Sequence, residues 1–144
     1  MAVSGSREFD VKATPAAVLD AVAAIDELPT WSGSVRAATV DTRYDDGRPL
    51  RVTQKVGAAG FIDEQITDYS WDGDSKVSWK LIKSGQQSVQ NASYTLTPKA
   101  GGTHVLFALE IDVKIPLPGF VLKRVLKGAL ETGSKDFTKY VESR

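Results

Sequence analysis

The spacing of hydrophobic residues changes period twice along the chain. After a polar start at Val3, Phe9 and Val11 fall at alternate positions up to Lys12, which predicts a short strand. Thr14 and Pro15 then mark a helix start: a threonine hydroxyl can accept an unpaired backbone N–H, and proline suits the first turn with its preset φ. Val18, Leu19, Val22 and Ile25 share one helical face, so the helix is expected to run to about Ala24. Leu28, Pro29, Thr30 and Trp31 break that pattern and Ser32, Gly33 and Ser34 close it, predicting a second short helix or turn.

From Val35 to Val113 the texture is strand-like, punctuated by Asp45-Asp46-Gly47, Gly57 to Gly60, Asp72-Gly73-Asp74, Ser84-Gly85 and Gly101-Gly102. Each of these supplies the residues that hairpin turns need, and together they divide the region into about six antiparallel strands. Alternation is clear in Leu50, Val52, Gln54 and Val56, in Val77, Trp79 and Leu81, and from Val105 through Phe107, Leu109 and Ile111 to Val113. Their neighbours, among them Arg51, Lys55, Lys80, His104 and Glu110, belong to a wetter face, as in an antiparallel sheet covered on one side. The strands around Val40 and Ile62 leave their parity open. Ile62, Glu64 and Ile66 fall on one face and Phe61 and Tyr69 on the other, and β-bulges could reverse either.

Beyond Ile115-Pro116-Leu117-Pro118-Gly119 the period becomes helical and stays so to the end. Leu122, Val125, Ala129, Phe137 and Tyr140, with Val121, Leu126 and Val141 nearby, form a broad apolar stripe opposed by Lys123, Arg124, Lys127, Lys135, Lys139 and Glu142. That stripe must be buried, and the large unpaired apolar surface available is the concave face of the sheet.

Composition narrows the chemistry. With 18 Lys and Arg against 18 Asp and Glu, no basic footprint for nucleic acid exists. Without cysteine, and with His104 as the one histidine, thiol nucleophiles, disulfides and cysteine-based zinc sites are excluded. HExxH, GxSxG, P-loop and GxGxxG patterns are missing, which removes zinc proteases, α/β-hydrolases, nucleotide-triphosphate enzymes and dinucleotide dehydrogenases. No metal or cofactor is expected. The start lacks a basic segment followed by an apolar run, and the stretches Ala16 to Ile25 and Ile115 to Val121 are shorter than the roughly 20 residues a membrane helix needs. These features predict a cytoplasmic chain that is not an integral membrane protein, with residues 1–144 as one domain.

The order of elements, together with Thr14-Pro15, Val18, Ile25-Asp26, Leu28-Pro29 and Trp31, then Val77 to Trp79, Tyr94 to Pro98, Gly101-Gly102-Thr103 and Pro116 to Gly119, resembles the START-like, birch-pollen-allergen-like superfamily. Within it the chain is similar to the polyketide cyclase/dehydrase and coenzyme Q-binding-like branch. The resemblance spans nearly the whole chain. It implies an α+β helix-grip fold: a curved antiparallel sheet of about seven strands around a long C-terminal helix, with two short helices after the first strand. It also implies a hydrophobic cavity between sheet and helix, entered near the short helices, and Ala129, Gly133 and Gly128 supply small side chains that could leave such a gap. The fold hosts carriers, receptors, cyclases and hydrolases, so it does not name a reaction.

The cavity is expected to be lined by Trp31, Val52, Gln54, Trp79, Tyr94, Phe107, Leu109, Leu122, Val125 and Ala129, with Gln90 a further polar candidate. Gln54 shares the parity of Val52, and a buried amide needs a partner from a ligand, a water or another side chain. If Glu64 points inward, it is a candidate acid or base. Two functions compete: a carrier for a lipid, quinone or polyketide-like molecule, and an aromatase/cyclase-type enzyme that works mainly by positioning its substrate. An interaction module using the outer face of the sheet is a third. The basic excess on the last helix is either a solvated face or a surface for brief contact with an anionic membrane.

Overall fold

Strand β1 (Val3–Val11) leads into helix α1 (Pro15–Ala23), a 3-10 turn (Ile25–Glu27) and helix α2 (Leu28–Trp31). The computed structural model describes residues 1–58 and 61–144. Thr14 caps α1 as its sequence predicts, its Oγ1 accepting from Ala17 N at 3.2 Å with Pro15 in the first turn. Then come β2 (Val35–Arg43), β3 (Pro49–Ala58), β4 (Phe61–Asp72), β5 (Lys76–Ser84), β6 (Gln87–Lys99) and β7 (Gly102–Val113). All pair antiparallel in the order β1-β7-β6-β5-β4-β3-β2, so β1 joins the far edge of the meander beside β7. The β6–β7 hairpin turns through Gly101 at φ +78°, a conformation that favours glycine. The turn expected at Gly57 to Gly60 extends outside the described residues.

The C-terminal helix is α3 (Gly119–Glu131), a π-helical turn (Thr132–Asp136) and α4 (Phe137–Ser143), run end to end. Leu122, Leu126 and Leu130, spaced by four, lie buried against β1 and β7, where Gly5 admits them: a Cβ at Gly5 would sit 3.0 Å from Leu130 Cδ1. This setting of the helix corrects one expectation. Val125 is turned by about 100° from Leu126 on the helical wheel, which carries it out of the buried stripe to 49% exposure.

Beneath the helix the concave face is filled by aromatic rings. Trp71 stacks near Tyr69, Tyr69 on Trp79, Trp79 against Tyr94 and Phe107, and Tyr94 on Phe137, which meets Trp31. Trp31 also stacks on Tyr140, at 5.7 Å between centroids. The gap expected beside Gly133 is therefore closed. The Phe107 ring stands where a Cβ at Gly133 would go, and the Tyr94 hydroxyl donates to the Gly133 carbonyl at 2.7 Å inside the π-helical turn.

The open parity of β4 resolves against Glu64. Thr67 pairs with Val52 and Tyr69 with Trp79, and this register turns Asp63, Gln65, Thr67 and Tyr69 inward. Glu64, paired with Lys55, and Ile62 are exposed on the opposite face. Around β2 the register slips between Val35 and Ala37 and again between Val40 and Thr42, the irregularity that blurred its alternation.

Candidate functional site

Between the aromatic core and the end of the sheet where β7 hands over to α3, the concave face becomes polar. Gln54 of β3 lies directly across from Gln65 of β4, and Gln65 across from Ser84 of β5. Gln87 and Gln90 complete the row from β6. Gln65, Ser84 and Asp63 are buried, whereas Gln54, Gln87, Gln90, Trp79 and Leu81 are half-buried.

The orientation of every amide in this row follows from two fixed groups. Asp63 is the first. Its carboxylate accepts from Ser84 Oγ at 2.5 Å, from Gly85 N at 2.8 Å and from Gln65 Nε2 at 3.2 Å. Burial alone pushes the Asp63 carboxyl up, but the hydrogen bonds from Ser84, Gly85, Gln65 and the Gln86 backbone together outweigh it and hold it below the usual carboxylate range. An ionised carboxylate only accepts, so Gln65 must turn its Nε2 toward it and its Oε1 away. That oxygen accepts from Gln54 Nε2 at 3.2 Å and from Gln90 Nε2 at 3.5 Å.

Trp79 is the second fixed group, because an indole N–H only donates. It donates to Gln90 Oε1 at 3.2 Å, and Gln90 Nε2 donates in turn to Gln87 Oε1 at 2.8 Å. The two anchors impose the same polarity on Gln90. Among the described residues, Gln54 Oε1 and Gln87 Nε2 are left without a protein hydrogen bond. The row thus ends in one free carbonyl acceptor and one free amide donor, both on half-buried side chains.

Burial pushes the Tyr69 and Tyr94 hydroxyls well above the ordinary tyrosine range. Tyr140 is pushed up to about 12, by burial first and then by its hydrogen bond to Glu27, with Arg144 opposing. Its hydroxyl donates to Glu27 Oε1 at 2.7 Å, tying α4 to the 3-10 turn. Among the described residues no cluster of three or more His, Asp or Glu could hold a metal ion.

The residues expected to line a cavity divide by place. Val52, Tyr94, Phe107, Leu109 and Leu122 are buried core residues, each no more than 7% exposed. Trp31 and Ala129 are half-buried, Trp31 against Phe137 and Tyr140 and away from the amide row. Gln54, Trp79 and Gln90 belong to the row itself, and Val125 and Glu64 to the solvent side. Sequence reasoning missed Asp63, Gln65, Ser84 and Gln87. Tyr69 and Trp71, counted back in twos, give the parity that finds Gln65 and Asp63.

The outer face carries an open depression of about 670 Å³ floored by Ser4, Ser6, Ser70, Ser78, Asn91 and Ser93. Its two carboxylates are engaged, Asp68 with Arg51 and Glu110 with Asn91.

Comparison with known proteins agrees with this architecture. The family model described as "Polyketide cyclase / dehydrase and lipid transport" matches residues 2–142. No curated protein matches the chain in sequence. A START superfamily protein from Mycobacterium smegmatis superposes with a TM-score of 0.88 at 22% identity, covering 97% of both chains. A protein from Thermus thermophilus gives 0.75 at 18% identity, covering 99% of this chain and 95% of its own. The ZhuI aromatase/cyclase from Streptomyces sp. R1128 gives 0.78 at 10% identity, covering 99% of this chain and 93% of its own. At these identities the likeness is one of fold.

Proposed function

The chain belongs to the polyketide cyclase/dehydrase and lipid transport family, and from that premise we propose that it binds a neutral, largely apolar small molecule through a single hydroxyl or carbonyl group. The observation that carries this reading is the oriented amide row, which ends in Gln54 Oε1 and Gln87 Nε2 on half-buried side chains and is joined to the aromatic core through Trp79. An apolar wall with a few convergent polar groups is the usual make-up of a small-molecule site. The ends of the row offer an acceptor to a hydroxyl and a donor to a carbonyl.

A neutral head group suits the site better than a carboxylate. The ionised Asp63 roots the row, and the cation that reaches Ser84, Lys114 Nζ, is occupied by the Ser84 carbonyl at 2.6 Å. An anion would meet repulsion without a partner. The enzymatic alternative works mainly by positioning, and the acid or base assistance it adds would come from a group that exchanges a proton near neutrality. Asp63 is held ionised and Tyr69 and Tyr94 are held protonated, so binding and carriage are favoured over cyclisation.

The test is calorimetric titration with three rings of equal size: 2-naphthol, naphthalene and 2-naphthoate. 2-Naphthol is expected to bind about ten-fold more tightly than either of the others, the worth of one hydrogen bond that the site otherwise leaves unmade. Equal or tighter binding of 2-naphthoate would overturn the neutral head group, and absence of binding by all three would overturn the site. Native mass spectrometry of the protein from its own host, followed by organic extraction, would identify a retained ligand.

A further inference from the structure

At the end of the sheet that holds the amide row, the chain crosses from β7 to α3 through Lys114 to Pro118. Ile115 is 61% exposed, Leu117 42%, Phe120 67% and Val125 49%, a concentration of large apolar side chains in water. Interleaved with them are Lys114, Lys123, Arg124 and Lys127, and no Asp or Glu occurs from Val113 to Leu130. The carboxylates that flank this stretch are already engaged: Asp112 with the N-terminal ammonium, and Glu131 with Lys135 and Arg7. Among the described residues none of the four cations takes part in an ion pair.

We propose that this connection and the outer face of α3 form a docking surface for an anionic lipid bilayer. The helix is amphipathic in two senses. Leu122, Leu126 and Leu130 hold it to the protein, while its opposite side presents Phe120 and Val125 among Lys123, Arg124 and Lys127. Such a face lies in the interfacial plane, its apolar side chains among the acyl chains and its cations at the lipid phosphates and carboxylates. Pro116 and Pro118 lead into α3, and Leu117 and Phe120 stand exposed on either side of Pro118. Charge complementarity selects the occupant: a neutral bilayer would take the exposed apolar side chains but leave Lys123, Arg124 and Lys127 unmatched. The connection is hydrogen-bonded directly beside the amide row, with Lys114 N donating to Gln86 O and Lys114 Nζ to Ser84 O. A protein seated here faces the membrane with the site end of its sheet. This inference stands whether or not the amide row binds the ligand class proposed above.

The chain has no cysteine, so one introduced thiol carries one label. Phe120→Cys and, as a control on the outer sheet face, Ser6→Cys are each coupled to an environment-sensitive nitrobenzoxadiazole fluorophore and mixed with vesicles. The vesicles are phosphatidylcholine alone or phosphatidylcholine with about 30% phosphatidylserine. The label at 120 is expected to shift to the blue and be quenched by spin-labelled acyl chains on the anionic vesicles alone, while the label at 6 does neither. Unlabelled protein is expected to sediment with the anionic vesicles, losing about ten-fold in binding when Lys123 and Arg124 are both changed to Glu, and weakening as salt is raised. Both residues are exposed, and an unchanged melting temperature verifies that the fold is intact. Equal binding to neutral vesicles, equal response from the two labels, or self-association of the free protein without vesicle binding would each overturn the proposal.

Discussion

The ring of Phe107 occupies the volume that a side chain on Gly133 would need, and the carbonyl of the same glycine accepts the Tyr94 hydroxyl at 2.7 Å. Gly133 lies within the π-helical turn, where the ladder of the C-terminal helix widens over the sheet. Alanine favours a helix over glycine by about 1 kcal/mol, which alone would make Gly133→Ala stabilising. Overpacking a close contact of this kind costs about 1–3 kcal/mol. Because Phe107 is packed by Tyr94 and Trp79 and cannot withdraw, the packing cost is expected to win. Urea unfolding should show Gly133→Ala less stable than the parent, and a gain in stability would mean that Phe107 is free to move.

Trp31 Nε1 is a buried side-chain nitrogen without a hydrogen-bond partner. Its indole packs on Phe137 and Tyr140 at 5.2 and 5.7 Å. Trp31→Phe removes the unsatisfied donor and keeps most of the ring contact, so it should change stability by less than about 1 kcal/mol. Trp31→Ala should cost about 2–4 kcal/mol by loss of buried aromatic area. Equal effects of the two changes, measured by thermal or urea unfolding, would show that the indole N–H has a role that the packing does not.

His104 bridges two carboxylates on the outer face, Nδ1 to Asp10 at 2.8 Å and Nε2 to Glu8 at 3.1 Å. Asp10 and then Glu8 raise its pKa above the usual 6.5. Asp10 itself is lowered by Lys99 and then by His104. The histidine therefore contributes stability that is fully present below about pH 6.5 and is lost as pH rises through its folded value. The aspartate contributes above about pH 3.8, and its contribution is lost on acidification. The clasp between β1 and β7 is expected to be tightest in the window between them. His104→Gln should lower the melting temperature at about pH 5.5, and the difference should shrink as pH rises through the folded value; a pH-independent difference would exclude the clasp.

Asp63 ties β4 to the β5–β6 turn through Ser84 and Gly85, and it anchors the amide row. Asp63→Asn keeps the shape but replaces an acceptor by a group that donates, against three donors that already point at it. A loss of about 1–3 kcal/mol at neutral pH is expected. Because the carboxyl is held below its usual range, its contribution is present above about pH 3.8 and disappears as pH falls through the folded value. The two proteins should converge in stability in strong acid, as read by urea midpoints across pH.

Most of the architecture is legible in the sequence because it rests on local signals that also govern the folded chain. Thr14-Pro15 caps and opens α1, and Val105, Phe107, Leu109 and Ile111 alternate along β7 as an apolar run on its inner face. The site was less legible for a physical reason. A polar residue on an inner face has no hydrophobic signature, so Asp63 and Gln65 hide in β4, whose exposed Ile62 imitates an inward position. Val125 misleads in the same way: periodicity marks a stripe three or four residues wide, and only packing against Gly5 decides which edge is buried. The filled gap at Gly133 depends on the rotamer of Phe107, which spacing does not encode.

Gln54 holds the free acceptor of the amide row, and its substitution separates recognition from packing. In Gln54→Leu the apolar wall is extended while Gln65 Oε1 keeps its bond from Gln90, so the fold should survive and naphthalene should bind as well as before or better. The preference for 2-naphthol over naphthalene should fall from about ten-fold to less than about two-fold, since the hydroxyl no longer finds an acceptor. The side-chain amide groups report the same event without any variant. In a nitrogen–proton correlation spectrum, 2-naphthol should shift the Gln54 and Gln87 amide signals first, because these are the row's open ends, and the Gln65 signal least, because both its oxygen and its nitrogen are occupied. Naphthalene should move none of them. If 2-naphthol binds with its preference intact in Gln54→Leu, or shifts the Gln65 amide alone, the head group is held elsewhere on the concave face and the row is structural.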